Sequence, residues 1–263
     1  MSKQALAALE VERARAIELA QSLSDEEWAT PSDCDGWRVQ DVFAHMATVF
    51  HQVADPSATP PDASGDAEVP AELMLAPLKD RTPQEVLAEY VAWGDKAHVA
   101  LVGLQEPPMA DTVIPLGNLG EHPLHLLANA FVFDHYCHLR HDVLAPGGPI
   151  EREALPQDEA SLAATMEWML AGLPQMCAVP LGPLVDRPVN LVFEGPGGGS
   201  WVLVPGPLRV EEGSSPDAVA TVTSTPHDFV SWGTQRRDWR ESGVTIAGDE
   251  AYAGAVLDAF NVI

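Results

Sequence analysis

The sequence predicts an α+β chain: an all-helical N-terminal bundle of four main helices over residues 1–155, then a smaller α+β part over 156–263. Two observations predict it. Through the first part, apolar residues recur at helical spacing and follow capping sequences. After about residue 155 the texture changes to one more helix and then short Val- and Leu-rich segments bounded by Gly and Pro, the pattern of strands.

Residues 3 to 22 carry Leu6, Leu9, Ala16, Ile17 and Ala20 between charged positions, which is amphipathic spacing for a first helix. Ser24-Asp25-Glu26-Glu27 fits a capping box opening a short helical turn with Trp28. Turn residues from Thr30 to Gly36 follow, and an apolar face resumes at Val39, Val42, His45, Met46, Val49 and Phe50. The second helix therefore carries a histidine on its inward face. Residues 55 to 70 hold little to bury and predict an exposed, mobile loop. Thr82-Pro83-Gln84-Glu85 combines an N-cap, a proline at the first helical position and a box glutamate, opening a third helix to about residue 104. From His122-Pro123 an unbroken fourth helix is expected to about Leu144, where Ala145-Pro146-Gly147-Gly148-Pro149 stops it. Beyond it come a helix near 159–177, strands in VNLVFEG, SWVLVPG and AVATVTST, and a helix, strand and helix in TPHDFV, GVTIAGD and AYAGAVLDAF.

The 14 Lys and Arg face 39 Asp and Glu, a formal net charge of −25. So negative a field repels polyanions, which excludes nucleic acids and anionic membrane surfaces as partners of the usual electrostatic kind. With 46% apolar residues and a mean hydropathy of −0.02, the chain can build a sizeable core. No apolar run reaches the roughly 18 to 20 residues of a membrane span, and the N-terminus lacks a signal-peptide core, so a cytoplasmic location is expected. Cys34, Cys137 and Cys177 form no CxxC pair and predict reduced thiols rather than a disulfide framework.

One constellation carries chemistry. Asp134 and His138 lie four apart on the fourth helix, so both side chains leave one face about one turn apart and can hold one metal ion. His45 is the natural third ligand, and a His₂-carboxylate set with an open position suits a catalytic divalent ion, Zn²⁺ above all. Spacing leaves alternatives open: His138 with Asp142, or His138 with His141, while His45 also fits a hydrogen-bonded core histidine. Because His135, His138 and His141 fall at i, i+3 and i+6, they do not all face inward. Cys34 and Cys137 are weaker nucleophile candidates, since neither sits in a nucleophile motif and Cys137 leaves a different helical face.

The phrase LSDEEWATPSDCDGWRVQDVFAHM resembles the N-terminal signature of mycothiol-dependent maleylpyruvate isomerase-like proteins, of the DinB-like metal-binding four-helix superfamily. The match consists of Glu27-Trp28, Pro31, Cys34, Gly36-Trp37, Val39 and Ala44-His45 in order and spacing. The resemblance implies His45, Asp134 and His138 as metal ligands, with Asp134 standing where the family has the longer Glu. It also implies a small sterol-carrier-like C-terminal domain, in which TPHDFVSWGTQRRDW resembles a segment that lends an Arg to an active cleft between the domains. Arg236 matches that position first and Arg237 second, against the alternative that the Arg236, Arg237 and Arg240 cluster only pairs with Asp238, Glu241 and other surface acids.

The implied activity uses mycothiol, a low-molecular-weight thiol, as cosubstrate. A divalent cation favours thiolate over a thiol whose ordinary pKa is about 8.5, and the thiolate is the nucleophile. Addition to an activated alkene, rotation and elimination give an isomerase, whereas displacement gives an S-transferase. The small electrophile is expected to bear a carboxylate for an Arg to hold. A metal-assisted hydrolase and a non-catalytic metal- or ligand-binding sensor are the other classes, separated by whether turnover needs added thiol.

Overall fold

The computed structural model describes residues 3–61 and 64–262 and divides into two compact units, Met1–Pro156 and Gln157–Ile263. In the first unit, α1 (Lys3–Ser22) buries Ala5, Ala8, Leu9, Ala16, Leu19 and Ala20 along one face. α2 (Asp25–Ala29) opens with the expected box: Ser24 Oγ accepts from the Glu27 amide, and Glu27 accepts from the Ser24 amide at 2.8 Å. Its Trp28 packs on Phe43 of α3 (Val39–Ala54), with ring centroids 4.9 Å apart. α4 (Glu68–Leu75) precedes α5 (Pro83–Gly103), which opens with the Thr82–Glu85 capping box. α3 packs against α5, and α1 against both α5 and α6 (Leu127–Cys137).

Two expectations in this unit are corrected. The 55–70 segment holds a 3₁₀ turn at Pro56–Ala58 and the first residues of α4, and Asn118 pins it by donating its amide to Gly65 O at 2.7 Å and accepting from Ala67 at 3.0 Å. Asp62 and Ala63 of that segment lie outside the described residues. Nor is 122–144 one helix. β1 (Val113–Pro115) and β2 (Glu121–Pro123) form a small antiparallel ladder in which His122 pairs with Ile114. A 3₁₀ turn over Leu124–Leu126 then leads into α6, which passes at His138 into a π-helical turn, His138–Val143. The i to i+5 bond from Leu144 N to Leu139 O, 3.1 Å, marks the wider winding. At Gly148 a Cβ would collide with the Val143 and Asp142 carbonyls, so the segment after the turn can fold back closely only with glycine there.

In the second unit, α7 (Glu159–Met176) and α8 (Ala178–Leu181) precede a five-stranded sheet of order β5-β4-β3-β6-β7. The strands are β3 (Val189–Phe193), β4 (Gly199–Val204), β5 (Arg209–Glu212), β6 (Ala220–Ser224) and β7 (Thr245–Gly248). β3 pairs parallel with β6, and the other pairs are antiparallel. Val189, Leu191 and Phe193 alternate inward, and Phe193 meets Phe229 of α9 (Pro226–Gly233), so that Phe193, Phe229, Trp232 and Phe260 form an aromatic core. α10 (Glu250–Leu257) closes the unit. The short β5 has no alternating apolar signal and was not expected. The chain is thus mixed α and β, and no described helix is long and apolar enough to cross a membrane.

Candidate metal centre

α3 buries nearly every residue of its middle turns, and His45 stands among Val42, Phe43, Met46 and Phe50 at 5% exposure. α6 brings Asp134, and the first residue of the π turn is His138. His45 Nε2 lies 3.1 Å from Asp134 Oδ1, and His138 Nε2 lies 3.4 Å from the same oxygen. The two imidazoles meet edge to face with centroids 5.1 Å apart, and Trp37 covers both at 5.1 and 6.4 Å. The expected three residues therefore come together.

Their geometry fits an ion. Four ligands at about 2.0–2.2 Å in a tetrahedron sit about 3.3–3.6 Å from one another, close to the two separations seen here. One donor atom from each of the three residues can be chosen so that all lie within 4.8 Å. Asp134 Oδ2 is buried with no hydrogen-bond partner, lone-pair capacity that the protein itself does not use. The Asp134 side chain keeps 18% of its surface exposed. Among the described residues a second cluster joins Cys34, His138 and Asp142. There the separation from His138 Nδ1 to Asp142 Oδ2 is 2.7 Å, too short for two ligands of one ion and right for a charge-assisted hydrogen bond. Asp142 is thus the partner of the second ring nitrogen, and Cys34 Sγ stands 3.8 Å from that nitrogen. His141 belongs to neither cluster.

The charges are coupled. Burial works against ionising Asp134, but His138 and then His45 outweigh it and hold its carboxyl well below the ordinary range. Burial likewise disfavours the His138 cation, and Asp134, Asp142 and Cys34 reverse this, raising its pKa well above the ordinary imidazole value. His135 plays a different part. Its Nδ1–H donates to Phe131 O at 2.8 Å, so its Nε2 accepts from the Tyr90 hydroxyl at 2.9 Å, and burial lowers its pKa. It is a core histidine.

The arginine segment lies in the second unit. Arg236 is half-buried just after α9, its amide donating to Ser231 O at 3.0 Å, and Arg237 is exposed. Arg240 pairs with Asp258 at 2.7 Å and with Asp238, the surface pairing weighed above for that cluster. A groove of about 350 Å³ in the same unit is floored by Met166, Leu170, Trp201 and Val210 and edged by Glu159, Glu167 and Glu212, with no His, Cys or Arg in its lining. Sequence reasoning missed Trp37 as a cover of the centre and the buried pair Glu12–Arg140. Trp37 had a signal, its place in the signature phrase. The ion pair had none, because its partners are 128 positions apart.

No curated protein sequence matches. Two crystal structures match over 93% of this chain and 92% of theirs, at a TM-score of 0.56 and 14% identity: mycothiol-dependent maleylpyruvate isomerase and a single-site mutant of it. At that identity the likeness establishes the fold. A family model described as the mycothiol maleylpyruvate isomerase N-terminal domain matches residues 9–140, which takes in α3, His45 and the Asp134–His138 pair. The chain belongs to the mycothiol maleylpyruvate isomerase family.

Proposed function

We propose that this chain is an enzyme that uses a low-molecular-weight thiol, mycothiol, to isomerise or S-conjugate a small electrophile bearing a carboxylate. Its metal centre is a single divalent ion, Zn²⁺ by donor set, held by His45, Asp134 and His138. The observation that carries this reading is the convergence of two imidazole nitrogens on one carboxylate oxygen at 3.1 and 3.4 Å. When bound, such an ion would supply a thiolate at neutral pH in place of a thiol.

The chain's own residues do the rest. Asp142 holds the Nδ1 hydrogen of His138 and so keeps Nε2 free to donate its lone pair. Trp37 lies over both imidazoles and limits water on that side. Burial of His45 and His138 makes each charge near them count for more than it would in water. Arg236, with Arg237 second, is proposed to bind the substrate carboxylate through the paired N–H groups of its guanidinium. The N-terminal bundle is the metal-binding domain in this scheme, and the α+β unit is the substrate domain.

The test combines composition with turnover. Tag-free protein should carry about one divalent ion per chain, lose it on His138→Ala, and turn over an electrophile such as maleylpyruvate only with thiol added. Retention of the full ion complement by His138→Ala refutes the ligand set. Turnover with water alone would make the protein a hydrolase, and ligand binding without turnover would make it a sensor.

A further inference from the structure

Glu12 of α1 is fully buried, and Arg140, the third residue of the π turn, is 5% exposed. They form a two-pronged ion pair, Nη1 to Oε2 at 2.8 Å and Nη2 to Oε1 at 3.1 Å, and Glu12 Oε1 also accepts from Arg15 Nη1 of its own helix at 2.7 Å. Arg140 also donates to Pro156 O at 2.8 Å, and its guanidinium lies over the Tyr136 ring at 3.9 Å. Arg140 stands two residues after His138 and two before Asp142, within a turn whose winding differs from that of the helix feeding it. π winding is rare and occurs mostly as single turns within α-helices, frequently at functional sites. A buried ion pair is a costly way to gain stability, and fixing register or orientation is its best-attested use.

We propose that Glu12 is a positioning residue for the metal centre. Acting through Arg140, it holds the π turn in the winding that sets the Asp142 carboxylate on His138 Nδ1 and thereby aims His138 Nε2 at Asp134. Glu12 touches neither ligand atoms nor substrate, and it works from the far side of the helix. The proposal rests on the metal-centre reading for its purpose but not for its geometry, which the metal-free protein can report.

The test uses the full chain in two variants. Glu12→Gln strands a buried guanidinium and tests the pair directly, at the risk of unfolding. Glu12→Met with Arg140→Met removes both charges of the pair while keeping volume, a change that commonly leaves stability intact, and leaves Arg15, whose side chain is 17% exposed, to be solvated. Two readouts follow in each folded variant. The first is the exchange-protected imidazole N–H resonance of His138 in metal-free protein, assigned by its loss in His138→Gln. The second is zinc affinity, together with the visible spectrum of the cobalt-loaded form. The double variant is expected to melt like the parent, to lose the protected resonance, to bind zinc about tenfold or more weakly, and to show an altered cobalt spectrum. A double variant that keeps the resonance, or a parent-like affinity and spectrum, overturns the positioning role. If the parent binds no metal, the metal-centre reading fails by itself, and the resonance alone decides the role of Glu12.

Discussion

Asp142 Oδ2 accepts the Nδ1 hydrogen of His138 at 2.7 Å. The bond assigns each ring nitrogen a task, since the one that donates to Asp142 cannot also bind an ion, and Nε2 is left facing Asp134. Partners of this kind set both the orientation and the basicity of a metal-binding imidazole.

Asp142→Ala should therefore keep the fold and lower zinc affinity by about 10- to 100-fold. Competition titration against a chromogenic chelator measures this. An unchanged affinity would mean that the carboxylate is incidental to the centre.

The pH dependence of stability should invert between the two forms. In the chelated protein His138 has its pKa raised well above 6.5. Its contribution to stability is full below that ordinary value and is lost as pH rises through the raised one. Asp134 is shifted down from 3.8, so its contribution is present above that value and is lost only as pH falls through the depressed one. Zinc needs His138 Nε2 without a proton, so the rise in Tm on adding zinc should grow as pH climbs through the same titration. Scanning calorimetry over a pH series, with and without chelator, reads both trends; a zinc shift independent of pH contradicts them.

Trp37 lies close enough to both imidazoles for a paramagnetic ion at the centre to quench it. Titration with cobalt or nickel should lower tryptophan emission to a break at one equivalent, and Trp37→Phe should remove most of the drop. Equal quenching in that variant would place the ion elsewhere.

Tyr90→Phe removes the hydroxyl that donates to buried His135. Leaving that nitrogen unpaired should cost about 1–3 kcal/mol in urea unfolding. Metal content should stay the same, because His135 faces Phe131 O and Tyr90 with its two nitrogens.

The parts of this architecture that could be read beforehand are those written in adjacent residues. The Ser24–Glu27 and Thr82–Glu85 boxes close within one turn, and both form. The i, i+4 spacing of Asp134 and His138 survives because the change of winding begins only at His138. The π turn itself was hidden: over six residues of His, Leu, Arg, His, Asp and Val, apolar spacing does not separate α from π winding. β1, β2 and β5 are three or four residues long, too short to show alternation. Spacing also left Asp142 open as a ligand, and only a distance assigns it to the other nitrogen.

The second unit's sheet joins two kinds of neighbour. β3, β4 and β5 follow one another as a meander, whereas on its other edge β3 pairs in parallel with β6, where Val189 meets Ala220. Contacts between near neighbours form before those that require a long loop to close. During refolding the meander should therefore assemble early and wait with its β3 edge bare, a transient template for strand exchange between chains. Yield on dilution from denaturant would then fall with protein concentration, and the cause would lie in this sheet rather than in the helices that carry His45, Asp134 and His138.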